Sequence, residues 1–179
     1  MLEIEVPETK PATEWVNGRA LQKMNPRERH SRAQGAFLVA LLSWSRDHGA
    51  GRVCAEWDFR LAPPGEPRRP LVPDVAYLSY ERVGYDDDDG ASIPRVAPNA
   101  VVEILSPDDA RRDVDEKIRV YLACGTDVVF IVDPARERVD AHSALGLETF
   151  WRGDIVTHRS LPGFVIKVAS IFEKIPPRP

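Results

Sequence analysis

Cysteine is scarce: Cys54 and Cys124 are the two present, they form no CxxC, and neither has a histidine at metal-ligand spacing. A disulfide framework and a structural zinc site are therefore not expected, and reduced thiols in a cytoplasmic protein are the simplest reading. Long apolar runs are also lacking; nothing approaches the roughly 18 residues that a membrane-crossing helix needs, so no membrane partner is expected. The amino terminus, Met1-Leu2-Glu3-Ile4-Glu5, has acids where a secretory signal needs basic residues and then an apolar stretch. An excess of positive charge is missing as well, with 24 Lys and Arg against 28 Asp and Glu and a net charge of −4. That balance counts against a general electrostatic binder of nucleic acid, which is basic, and requires any such contact to be local. HExxH, GxSxG, GxxxxGK[ST] and GxGxxG do not occur, so zinc protease, serine hydrolase, P-loop and dinucleotide readings have no anchor.

What is present is an ordinary globular composition, 43% hydrophobic and 29% charged over 179 residues. One domain spanning 1–179 is expected, with a core over about 13–172. Sixteen prolines fall mostly between periodic segments or at the carboxyl tail, where Pro176, Pro177 and Pro179 read as frayed. Asn17-Gly18 between short apolar segments predicts a hairpin. Ala33, Phe37, Ala40, Leu41 and Trp44 repeat at helical spacing and predict a long helix from about Glu28 to His48, stopped by Gly49 and Gly51. Strict alternation from Val53 to Leu61 predicts one half-buried strand. Val72 to Leu78 and Ala100 to Leu105 read as apolar strands, each interrupted by an acid, and Tyr85 to Pro98 reads as a surface loop. Its four aspartates, Asp86 to Asp89, lack the alternation and closing Glu of a calcium loop. Ser106-Pro107-Asp108-Asp109 has the composition of a helix start, predicting a helix to about Cys124. Val128 to Val132, Val139 to Ala141, Glu148 to Trp151 and Ile155 to Thr157 read as further strands, and Gly163 to Phe172 closes the core.

The chemistry rests on the two interrupting acids, Asp74 and Glu103. An ionised carboxylate within an apolar strand is costly unless it is paired or binds a metal. A hard divalent cation such as Mg²⁺ needs only one or two carboxylates plus water and substrate phosphate. For either acid alone, an exposed edge position or an arginine partner is the simpler reading; for the two together, with a lysine downstream, the balance reverses. In the next helix, Asp113, Lys117 and Tyr121 follow one another at steps of four and share a face. That face can bring Lys117 to a metal site, although a solvated Asp–Lys surface pair has the same spacing.

These residues together resemble a known family. Val72-Pro73-Asp74-Val75, then Val101 to Pro107 around Glu103, then Asp113, Lys117 and Tyr121, then Phe130-Ile131-Val132-Asp133-Pro134 are similar to the Uma-type family of restriction endonucleases. That family lies within the PD-(D/E)XK, restriction-endonuclease-like superfamily. Glu14-Trp15-Val16-Asn17-Gly18, His30 and Leu161-Pro162-Gly163-Phe164 extend the likeness outward. The resemblance implies an α/β fold with a restriction-endonuclease-like core, a mixed β-sheet flanked by two main helices, and extra C-terminal strands. It implies metal-dependent hydrolysis of phosphodiester bonds in DNA, with Mg²⁺ or Mn²⁺ held by Asp74 and Glu103 and with Lys117 as the third catalytic residue. Asp113, Tyr121 and His30 are then expected to position these groups, Asp113 or Tyr121 by orienting Lys117, although a polar capping role at the helix start accounts for His30 at least as well. Arg111, Arg112 and Arg119 are expected to offer local phosphate contacts.

Two departures from the family pattern stand out. The superfamily's lysine two residues after the acid is replaced here by Leu105, so its role passes to Lys117. Arg19 stands where the family usually has an acid after the hairpin glycine, a loss for which Glu14 is the candidate substitute. A catalytically degenerate module of the same fold that binds nucleic acid or a protein is the alternative, and a purely structural protein is a third. Homodimer formation would suit cleavage of two strands.

Overall fold

The structure, a computed structural model, describes residues 2–174; the prolines read as a frayed tail lie outside them. Strands β1 (Thr13–Val16) and β2 (Arg19–Gln22) form the expected hairpin. Asn17 and Gly18 at its turn have φ of 50° and 74°, the left-handed pair that a tight two-residue turn requires. Helix α1 (Glu28–His48) has the expected range and buries Ala33, Phe37, Leu41 and Trp44. Gly49 ends it in the left-handed conformation, returning its N–H to Ser45 and Arg46 carbonyls. Gly51 is not part of that stop. It opens β3 (Gly51–Ala55), where a Cβ would stand 2.3 Å from the Leu78 carbonyl oxygen.

The single strand expected from Val53 to Leu61 is two strands. Glu56 turns the chain with φ of 50° and donates its N–H to the Asp74 carbonyl at 3.3 Å. Beyond it, β4 (Phe59–Leu61) pairs with β5 (Arg69–Leu71) in a separate two-stranded sheet. Alternation continued through the break because both pieces bury every second residue against the core. The strand expected from Val72 starts later, as β6 (Val75–Ser79), because Pro73 has no N–H to give a ladder. Asp74 therefore sits at the mouth of the strand rather than within it. The acidic loop contains a short helix, α2 (Asp88–Ser92), capped by the Asp87 carboxylate on the Gly90 N–H at 2.8 Å.

Next come β7 (Ala100–Ile104) and α3 (Arg111–Ala123). The helix begins later than its composition predicted. The Ser106 N–H is taken by the Asp109 carboxylate at 2.7 Å, which closes a turn of its own, and Ala110 becomes the boundary residue with no side-chain cap. The chain ends through β8 (Val128–Asp133), β9 (Arg138–Ser143), β10 (Gly146–Trp151), β11 (Ile155–Val156), β12 (Ile166–Lys167) and α4 (Val168–Phe172).

Six strands form the mixed central sheet in the order β10-β9-β8-β7-β6-β3. Only β7 and β8 are parallel, joined by the α3 crossover. Both are buried along their whole length, as parallel strands covered by helices on two faces must be. On one face α1 packs Phe37, Leu41 and Trp44 against Val102, Phe130 and Phe164. On the other α3 packs Ile118 and Tyr121 against Val101, Val129 and Phe59. Each such fully buried side chain contributes about 1.5–3 kcal/mol by leaving water. Two helices clamped on a rigid parallel pair hold the carboxyl end of β7 in place, and the site lies there.

Candidate active site

Val75 on β6 faces Val102 on β7 across an antiparallel ladder, so Asp74 and Glu103 lie opposite one another one step further on. Residues so placed put their side chains on the same face. That face is the one covered by α3, whose residues Lys117 and Tyr121 point at the pair.

Asp74 is 2% exposed. Its Oδ2 accepts the Ile104 N–H at 2.7 Å and lies 3.3 Å from His30 Nε2, while its Oδ1 accepts from Lys23 Nζ at 2.7 Å. Burial alone would raise its pKa. The His30 hydrogen bond and the charges of Lys23, His30 and Lys117 overcome that and hold the carboxyl well below the ordinary carboxylate range. His30 moves the other way: burial works against its charged form, but the Asp74 bond and charge raise it above an ordinary histidine. Its Nδ1 is buried and has no hydrogen-bond partner among the described residues.

Glu103 receives the Tyr121 hydroxyl on Oε1 at 2.9 Å and stands 2.6 Å from Lys117 Nζ through Oε2. Burial pushes its carboxyl up to about 7; the Lys117 ammonium opposes the rise, and the Glu14 and Asp74 charges add to it. Lys117 also donates to Glu14 Oε2 at 3.1 Å. For this lysine burial is outweighed by Glu103 and Glu14, so it stays protonated far beyond neutral pH. Glu14, itself 2% exposed, is locked by the Val72 N–H on Oε1 at 2.7 Å.

The structure thus brings Asp74, Glu103, Lys117, Tyr121 and His30 together, with two roles redistributed. Tyr121 bonds Glu103 and not Lys117. Asp113 does not touch Lys117 either: its carboxylate is occupied by Asn17 Nδ2 at 2.8 Å and by Arg19 NH2 at 2.5 Å. The solvated Asp–Lys surface pair does not form. Arg19, the residue standing for a family acid, instead ties the hairpin to α3. Glu14 supplies the buried acid from the hairpin. Arg119 lies on a different face of α3, where Glu66 and Glu116 bind its guanidinium, so it is not a phosphate contact of this site. Arg111 pairs with Asp115 and Arg112 lies 3.8 Å from Asp113.

Three participants were not singled out by sequence. Lys23 bonds Asp74, Glu56 Oε2 at 3.0 Å and the Val72 carbonyl at 2.9 Å. Gln34 donates to Glu56 Oε1 at 3.0 Å and to the Asp74 carbonyl at 2.9 Å. Gln34 follows His30 by four on α1, so helical spacing could have placed it beside the site. Lys23 and Glu56 carry no such signal and are brought in only by the chain after the hairpin and by the Glu56 turn.

Asp74, Glu103, Glu14, Lys23, His30 and Lys117 line a cavity of about 270 Å³. A second cavity of about 700 Å³ adjoins it, sharing His30, Leu105, Ser106, Asp109 and Val114. Its lining carries charges of both signs, with Arg27, Arg29, Arg111, Arg136 and Arg138 interspersed with acids that include Asp115, Asp133 and Asp140.

Among the described residues no three Asp, Glu, His or Cys side chains converge as a ready metal cage; ammonium groups stand between the carboxylates. The donor chemistry still fits a hard divalent cation, which takes carboxylate oxygens and keeps several waters. Burial raises the Glu103 carboxyl, and a cation placed beside it would oppose that rise as the Lys117 ammonium does.

The family model described as "Uma2: Putative restriction endonuclease" matches residues 1–169. The chain belongs to the Uma2 family. A crystal structure described as "a putative nuclease belonging to DUF820" from Anabaena variabilis superposes with a TM-score of 0.81 at 26% sequence identity, covering 93% of each chain. No curated protein matches. Membership of the Uma2 family and the likeness to a nuclease structure support a nuclease-like function and the restriction-endonuclease-like fold. No helix of the described residues is long and apolar enough to cross a membrane.

Proposed function

We propose that this protein is a Mg²⁺- or Mn²⁺-dependent endonuclease that hydrolyses phosphodiester bonds in DNA. The observation that carries the reading is the meeting of Asp74 and Glu103 at facing strand ends, with the Lys117 ammonium 2.6 Å from Glu103. Asp74, Glu103 and the main-chain carbonyl of Ile104 or Leu105 would hold the cation, which supplies Lewis-acid polarisation of the phosphate and a lowered pKa for water. Lys117 directs a positive charge at the scissile phosphate, where it orients the attacking water or stabilises charge developing on the phosphoryl oxygens. Tyr121 holds Glu103 and His30 holds Asp74, so both carboxylates keep one orientation before substrate arrives. In the cavity beside the site, Arg27, Arg111, Arg136 and Arg138 are each paired with an aspartate, so local phosphate contacts there would require a phosphate to displace those carboxylates. Cleavage of both strands of a duplex would call for a homodimer.

The test is a nuclease panel on duplex, single-stranded and branched DNA, and on RNA, with Mg²⁺ or Mn²⁺, beside Asp74→Ala. Divalent-dependent cleavage lost in Asp74→Ala supports the reading; cleavage that survives the substitution comes from elsewhere and overturns it.

A second reading, a degenerate binding module, is favoured by one observation: Lys23 places its ammonium on Asp74 Oδ1, a carboxylate oxygen that a cation would take. In that case the full chain binds DNA or a protein partner but shows no Mn²⁺ binding.

A further inference from the structure

We infer that Lys23 is a releasable counter-ion: it neutralises Asp74 while no divalent cation is bound, and moves onto Glu56 when one is. The inference rests on the proposed divalent-cation site.

Charge balance comes first. Glu14, Asp74 and Glu103 are all buried, at 2%, 2% and 8% exposure. Lys23 and Lys117 supply the compensating positive charge, with side chains 13% and 11% exposed. Adding a doubly charged ion without moving either ammonium would place like charges within a few ångströms of one another in a poorly solvated pocket. One lysine must give way.

The hydrogen bonds decide which one. Lys117 is gripped by Glu103 and Glu14, and both carboxylates are buried, so it has no partner to leave for. Lys23 already touches Glu56, whose side chain is 47% exposed, and it keeps that partner if Asp74 is withdrawn. Asp74 has its Oδ2 committed to the Ile104 N–H and to His30. Its Oδ1 is bonded by Lys23, so removing Lys23 uncovers the oxygen a cation needs.

Glu56 is built as the place of arrival. Its backbone holds φ of 50°, a conformation that a non-glycine residue adopts at a cost. The Asp74 carbonyl accepts its N–H, and Gln34 donates to its Oε1 while also reaching the Asp74 carbonyl. One bent residue and one amide thus hold the Glu56 carboxylate beside Asp74, leaving its Oε2 to Lys23.

The test is Mn²⁺ binding by calorimetry or electron paramagnetic resonance at pH 8 on the full chain. Four proteins are compared: wild type, Lys23→Met, Glu56→Gln and Asp74→Ala. Lys23→Met is expected to bind Mn²⁺ tighter, on the order of 10- to 100-fold, the range by which groups surrounding metal ligands alter affinity. Glu56→Gln, a substitution at a half-exposed site, is expected to bind several-fold weaker because the displaced ammonium loses its charged partner. A gain of affinity cannot come from damaged folding, and the Glu56 variant gives an answer if Lys23→Met does not fold. Wild-type binding that Asp74→Ala abolishes, with Lys23→Met and Glu56→Gln both unchanged, overturns the counter-ion role and leaves the proposed function standing. Binding only in Lys23→Met shows a fixed block, overturning release and supporting the degenerate module. Absence of binding in all four overturns both the function and the inference.

Discussion

Tyr121 donates its hydroxyl to Glu103 Oε1 at 2.9 Å, with both side chains buried beneath α3. Steps of four along a helix placed Tyr121 and Lys117 on one face, and that face gives each oxygen of Glu103 its own partner. A hydrogen bond to a charged acceptor contributes about 1.5–3 kcal/mol. Tyr121→Phe is therefore expected to lower stability by about that amount in urea melts at pH 8. It is also expected to move the pH midpoint of Mn²⁺ binding upward, since the ionised Glu103 loses a donor. An unchanged midpoint would show that the phenol serves packing alone.

Lys117→Met removes one cation from two buried carboxylates at once, Glu14 and Glu103. Breaking a buried ion pair from one side costs about 3–5 kcal/mol. The expected outcome is a large loss of stability in EDTA, partly recovered by Mn²⁺, with cleavage abolished even at saturating metal. Cleavage near wild-type rates in the metal-loaded variant would remove Lys117 from the mechanism.

Glu103 makes a pH prediction with a definite sign. Its folded pKa, about 7, lies above the ordinary value of 4.5. Such a group adds stability below the unfolded pKa and loses it as pH rises through the folded one. Wild-type protein in EDTA is expected to lose stability between about pH 4.5 and 7 relative to Glu103→Gln. Divalent binding runs the opposite way, strengthening across pH 7 as the carboxylate ionises. Asp74 belongs to a lower window: its depressed pKa adds stability present above the ordinary carboxylate range and lost as pH falls further. Parallel stability profiles for wild type and Glu103→Gln between pH 4.5 and 7 would contradict the assignment.

Arg19 and Asp113 tie the hairpin to α3, and the hairpin carries Glu14 into the site. Asp113→Ala leaves Arg19 and Asn17 without their shared acceptor. A loss of about 1–3 kcal/mol is expected from the unmet partners. Weaker Mn²⁺ binding should accompany it, because Glu14 and Lys117 are positioned through the same contact. A double-mutant cycle with Arg19→Ala isolates the pair; a coupling energy indistinguishable from zero would show that the contact holds nothing.

Gly51→Ala tests the β3–β6 pairing. The added Cβ would lie 2.3 Å from the Leu78 carbonyl oxygen, a backbone atom that moves only if the ladder does. Destabilisation of about 1–3 kcal/mol is expected, in the range of overpacked cores. Hydrogen exchange should show the loss first at β3, the edge strand.

Local signals carried far where the physics is local. Helical spacing marked α1 and Gly49 its end, Asn17-Gly18 gave the hairpin, and apolar runs marked β7, interrupted by Glu103, and β8. Asp74 and Glu103 stood out because a carboxylate among buried residues needs a partner, and steps of four put Lys117 and Tyr121 on the face that meets Glu103. The places where sequence reading failed are those where a distant partner decides. The strand through Val53 breaks at Glu56 because that residue's main chain and side chain answer to Asp74, Gln34 and Lys23. Helix α3 starts late because Asp109 takes the Ser106 N–H. Asp113 is claimed by Arg19 across 94 residues, so its expected bond to Lys117 does not form. Sequence by itself determined most of the helix and strand order and the two interrupting acids, because periodicity is written residue by residue; the fold class followed from the family resemblance that those motifs carry. Only the tertiary structure decided which cation meets which carboxylate, because an ammonium is drawn to whichever unsatisfied charge the packed strands and helices leave within its reach.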